Sequence, residues 1–60
     1  MKKFKITYSN FYLGEFFKVY VCENYKEAQK TSLNEIEHFR ENLNDWFSVV
    51  FIKEVPFDMF

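Results

Sequence analysis

The sequence holds one cysteine, one proline, one glycine and one histidine in 60 residues. A lone cysteine rules out an internal disulfide, and Cys22 with His38 falls short of a closed zinc site. With so little glycine and proline there is no linker, no repeat and no low-complexity tract, so a single domain over residues 1–60 is expected. No apolar run approaches the roughly 18 residues of a membrane span. After Met1-Lys2-Lys3, Lys5 interrupts the chain before any leader-like apolar stretch of about 7–15 residues forms. The expectation is a cytoplasmic protein without membrane contact. Glycine-rich phosphate loops, HExxH, CxxC and GxSxG are all missing.

What is present is apolar and aromatic. The chain is 48% hydrophobic and 23% aromatic, which excludes a disordered polymer. So short a chain buries little surface and usually needs a disulfide, a metal or a second subunit. The first two are absent from the composition, so association is expected. Nine Phe, four Tyr and one Trp exceed what one small core hides, and aromatics are favoured at interfaces.

The net charge of −1 conceals a division. Residues 1–30 carry six Lys against three Glu. Residues 31–60 carry Arg40 and Lys53 against Glu35, Glu37, Glu41, Asp45, Glu54 and Asp58. An acidic half suits a basic partner surface.

Hydrophobic periodicity gives strand, strand, helix, strand. Phe4, Ile6 and Tyr8 alternate with Lys3, Lys5 and Thr7, the period of a half-buried strand. Ser9–Gly14 reads as a hairpin turn, and Glu15–Glu23 as the second strand. Phe17, Val19 and Val21 share one of its faces; Phe16, Lys18, Tyr20 and Cys22 share the other. A helix follows over 25–43, with capping patterns at Asn24/Glu27 and again at Ser32/Glu35, so its regular part begins at one or the other. Its apolar stripe centres on Ile36 and includes Leu33, Phe39 and Leu43. The run from Trp46 to Ile52 reads as a strand covered on both faces, ended by Pro56, and the apolar tail 57–60 is expected to dock. The class is therefore α+β: a three-stranded antiparallel sheet with one helix packed on it. One helix covers one sheet face, so the face bearing Phe16 and Tyr20 is expected to be covered by a second copy in a homodimer.

Catalytic groups do not assemble in this pattern. His38 lies on the polar side of the helix between Glu35 and Glu41. Cys22 in a strand reads as a packing residue. Glu35 and Glu37 point about 200° apart around a helix and cannot share an ion. No enzyme activity, cofactor or metal is expected. The lysine-rich first strand, with Phe11 and Tyr12, has the flavour of a single-strand nucleic-acid surface, although lysines equally mark an edge strand that resists aggregation. Glu37 and Glu41, with Asp45 a further four residues on, would line one ridge at about 6 Å intervals if the helix persisted that far. Such a row beside an apolar patch can imitate DNA for a basic cleft.

From Ser32 to Val55 the sequence resembles the small homodimeric uracil-DNA glycosylase inhibitors of short-tailed Bacillus phages. Ser32-Leu33, Glu37, Asn42, Asp45 and Val55 carry the likeness, with acidic Glu35, apolar Ile36 and Phe39, and the strand Phe47–Ile52 in register. Phe4-Lys5-Ile6-Thr7 and Gly14 match more loosely. The resemblance implies a protomer that pairs through its sheet, so that two helices frame an apolar groove with acidic flanks. That groove receives the side chain the glycosylase otherwise inserts into DNA while flipping out uracil. By position Ile36 would wall the groove and Glu37 would meet the phosphate-binding cleft. Arg40 stands where the family has an aromatic contact, leaving that contact open, with Phe39 or Leu43 as substitutes. Ile36 also suits a core role. The residues expected to bind the partner are Ile36, Glu37, Phe39, Arg40, Glu41, Leu43 and Asp45, and the partner is host uracil-DNA glycosylase in the host cytoplasm, with no direct nucleic-acid binding. The alternatives are an anti-CRISPR or anti-restriction type inhibitor using the same acidic face, and a single-stranded nucleic-acid binder.

Overall fold

A computed structural model of the protein describes residues 1–59; of the expected docking tail, Phe60 lies outside the described residues. Strands β1 (Lys2–Asn10), β2 (Gly14–Cys22) and β3 (Phe47–Val55) and helix α1 (Tyr25–Leu43) follow in the order β1-β2-α1-β3. The sheet is antiparallel with β1 in the centre, in the order β2-β1-β3. The fold is therefore α+β with one sheet and one helix, and both β2 and β3 are edges.

The β1–β2 turn is tight because Asn10 organises it. Its Oδ1 accepts from the backbone N–H of Tyr12 and of Leu13, each at 2.9 Å. This is the local side-chain bonding that makes Asn a turn former. Gly14 then begins β2 at φ +75°, a left-handed conformation that costs other residues.

Helix α1 uses the earlier of its two capping signals. Asn24 caps it, its Oδ1 accepting from Glu27 N–H at 2.9 Å. Ser32 is buried within the helix and donates to the Gln29 carbonyl at 2.6 Å, so it caps nothing. The helix ends where Asn44 turns left-handed (φ 51°, ψ 46°) and its N–H donates to the Arg40 carbonyl.

The core lies between helix and sheet. Phe4, Ile6, Tyr8, Cys22 and Ala28 are its buried members, with Phe16, Tyr20, Ile36, Phe39, Val49 and Ile52 packed around them. The helix therefore covers the Phe16/Tyr20 face, and the open face is the one with Phe17, Val19 and Val21, the reverse of the sequence expectation. Tyr8 decides the matter: its ring stacks on Phe16 and its hydroxyl meets that of Tyr20 at 3.0 Å. The helix is also rolled by about 60° from a stripe centred on Ile36. Small Ala28 and Ser32 face the sheet together with Phe39, whose ring packs on Tyr8 and Phe16. Leu33 is consequently 65% exposed.

Strand β3 is not covered on both faces within one subunit. Tyr8 pairs with Val49, but the preceding Thr7 pairs with Phe51, so Val50 is an extra residue, a β-bulge. The bulge inverts the alternation midway. Phe47 and Val49 face the helix before it and Ile52 after it, while Phe51 is sent to the open face. The tail docks through its backbone: Lys3 Nζ donates to the carbonyls of Phe57 (3.0 Å) and Met59 (2.7 Å), while both of those side chains stay exposed.

Candidate functional site

The C-terminal end of α1, the loop after it and the β1–β2 turn converge at one end of the molecule. The helix stop at Leu43 lets Asp45 leave the carboxylate ridge, so the ridge on the helix is Glu37 and Glu41 alone. Asp45 is instead fixed by two bonds: its Oδ2 accepts from Asn10 Nδ2 at 3.1 Å and its Oδ1 from Trp46 N–H at 2.8 Å. Asn10 Nδ2 also donates to the Trp46 carbonyl at 2.8 Å. One buried amide thus ties the hairpin turn to the helix–β3 connection.

Glu37, Arg40, Glu41, Asn44, Asp45 and Trp46 surround an open hollow of about 390 Å³. Its charge is three carboxylates against one guanidinium. The Arg40 guanidinium lies 4.0 Å from the centre of the Trp46 ring, a cation–π contact that holds both side chains extended over the surface. A smaller hollow of about 190 Å³ adjoins it, lined by Tyr12, Leu13, Leu43 and Phe47 with Asn10 and Asp45 at its edge. Asp45 belongs to both. An apolar slot and an acidic rim therefore meet at one side chain.

Of the residues expected from sequence to bind a partner, Glu37, Arg40, Glu41 and Asp45 come together around the first hollow, and Leu43, 57% exposed, lines the second. Ile36 is half-buried on the shoulder of the helix. Phe39 is committed inward: its ring meets Tyr8 at 5.4 Å, Phe16 at 5.9 Å and Phe47 at 5.1 Å between centroids. It therefore cannot replace an aromatic at position 40, whereas Trp46, 72% exposed beside Arg40, presents such a surface. Trp46, expected within the third strand, precedes β3, and Asn10, expected only within the hairpin turn, ends β1. An aromatic directly after a helix-breaking Asn-Asp pair is the signal that marks Trp46 as lying outside the ladder.

His38 is exposed on the helix. Cys22 is buried and unbridged, its Sγ 4.0 Å from Thr31 Oγ1. Among the described residues no His, Cys, Asp and Glu cluster has the makings of a metal site, and no helix is long and apolar enough to cross a membrane. No protein-family model, curated protein or solved structure matches the chain.

Proposed function

We propose that this protein is a stoichiometric, DNA-mimicking inhibitor of uracil-DNA glycosylase that acts as a homodimer. The observation that carries the proposal is the meeting of Glu37, Glu41 and Asp45 with an apolar slot at one end of α1. A glycosylase cleft offers cations for phosphates and one apolar side chain that enters the duplex as the base flips out. Carboxylates on a rigid helix answer the cations, speed encounter and fix register; a desolvated apolar anchor supplies most of the affinity.

The roll of the helix supports the dimer. Glu35 pairs with Lys18 of β2 at 3.8 Å, so the opposite shoulder, with Leu33 and Arg40, leans toward β3. That shoulder keeps Leu33 and part of Ile36 out of its own core. β3 beneath it is an unpaired edge, a ready template for a second β3. Two protomers joined there set their helices side by side, with the exposed leucines in the gap and the carboxylates outside. Arg40, stacked on Trp46, takes the place of an aromatic contact as a composite flat surface.

The test is uracil release from a duplex by purified glycosylase at increasing inhibitor. Activity is expected to vanish at one dimer per enzyme. Full activity in excess inhibitor contradicts the proposal. Glu37→Lys is expected to weaken inhibition by more than about 30-fold with an unchanged melting temperature, because Glu37 is exposed.

A further inference from the structure

The β1–β2 turn departs from ordinary turn chemistry. Between the two strands stand Phe11, Tyr12 and Leu13, where glycine, proline or short polar residues are usual. Phe11 is 89% exposed, Tyr12 80% and Leu13 63%. The rings of Phe11 and Tyr12 meet edge to face, 5.1 Å between centroids, so the two side chains form one apolar knob. The backbone beneath that knob is braced. Asn10 Oδ1 accepts from the N–H groups of Tyr12 and Leu13, and the same amide donates to Asp45 and to the Trp46 carbonyl. Holding three large apolar side chains in water adds nothing to the fold, and a contiguous apolar surface of this kind marks an interaction site.

We propose that this turn is an anchor for a protein partner, with Phe11 entering an apolar pocket whose margin is basic. The proposal rests on the inhibitor reading and adds a second contact to the same docking surface, one in which this chain supplies the inserted side chain. Tyr12 and Leu13 also wall the smaller hollow, so knob and slot are continuous, and Asp45 joins both to the hollow bearing Glu37 and Glu41.

Charge selects the occupant. The charged side chains around the two hollows are Glu37, Glu41 and Asp45 against Arg40, and among the described residues no lysine lines either. An apolar knob beside carboxylates complements an apolar pocket edged by Lys and Arg. The same carboxylates disfavour the other candidates. Anionic lipid and nucleic acid are drawn to basic residues, and a second copy of this end would set carboxylates against carboxylates. Order in the free protein favours binding as well. Aromatic side chains have few rotamers to lose, and the turn is already fixed by Asn10, so little ordering remains when the partner arrives. The knob stays accessible in the proposed dimer, because the turn leads into β2, the strand farthest from the β3 edge.

Uracil release by purified glycosylase, measured against increasing wild-type or Phe11→Ser protein, tests the anchor. Phe11→Ser is expected to require about 30-fold more protein for half inhibition. Its melting temperature should match the wild type, because Phe11 is exposed. Inhibition by the wild type that Phe11→Ser equals overturns the anchor and leaves the inhibitor reading standing. Full enzyme activity in excess wild type overturns both. Two further measurements address the other occupants. Sedimentation of the wild type with phosphatidylcholine–phosphatidylglycerol vesicles, lost in Phe11→Ser, assigns the knob to a lipid surface. A lower mass for Phe11→Ser by light scattering assigns it to a second copy. Either result overturns the proposal.

Discussion

Asn10 is the residue on which the site most depends, although it is not at the surface. Its buried amide accepts two turn N–H groups and donates to Asp45 and Trp46, joining two segments distant in sequence. Asn10→Ala should cost about 2–3 kcal/mol, since it removes several bonds and strands buried groups, and in a domain this small each kcal/mol lowers the melting temperature by about 4–8 °C. Calorimetry checks the loss. Tyr8 and Tyr20 make a second buried polar pair. Burial raises the pKa of both phenols above the ordinary 10, and their mutual hydrogen bond raises that of Tyr20 further while partly offsetting the rise at Tyr8. Groups raised in this way contribute their full stability below pH 10, the unfolded value, and lose it as the pH climbs through the folded values. Melting temperatures should thus hold steady below pH 10 and fall above it. Tyr20→Phe should cost about 1 kcal/mol at neutral pH and make the alkaline decline shallower.

At the scale of elements, period and caps were legible and orientation was not. Alternation in Phe4, Ile6 and Tyr8 and the break after Leu43 locate the elements to within a few residues, and of the two helix starts the sequence offers, at Asn24 and at Ser32, the structure uses Asn24. The face of β2 that meets the helix is the one the sequence pattern assigns to a second copy: Phe16/Tyr20 and Phe17/Val19 are equally apolar, and only the contacts of Tyr8 with Phe16 and Tyr20 decide between them. The helix roll is hidden because a stripe centred on Ile36 weights the bulky apolar positions, whereas the buried face combines Phe39 with the small residues Ala28 and Ser32. The bulge at Val50 has no signature within a continuous apolar run. The carboxylate ridge was legible as far as Glu41, and Asp45 failed it through one left-handed residue, Asn44. Turn chemistry supplies a direct check. A Cβ at Gly14 would meet no atom, so Gly14→Ala should cost about 1–2 kcal/mol from the positive φ alone, and D-Ala at that position, introduced by chemical synthesis, should restore stability.

The whole molecule presents three surfaces with different chemistry: an acidic and apolar end at the helix C-terminus, a lysine-bearing aromatic sheet face, and an unpaired β3 edge. This separation explains the charge division seen in the sequence. Most lysines precede the helix and most carboxylates lie on or after it, so β1 forms the basic face and the helix end the acidic one. With so little surface buried in one subunit, pairing at the β3 edge should stabilise both; dilution should therefore lower the melting temperature, and a concentration-independent melt would argue for a stable monomer.

Native mass spectrometry of the protein mixed with purified uracil-DNA glycosylase bears most directly on the inhibitor proposal. A complex of two chains with one enzyme is expected, and it should disappear with Glu37→Lys. A spectrum showing only free enzyme, or a complex that survives Glu37→Lys undiminished, would contradict an acidic, DNA-like docking surface at the end of α1.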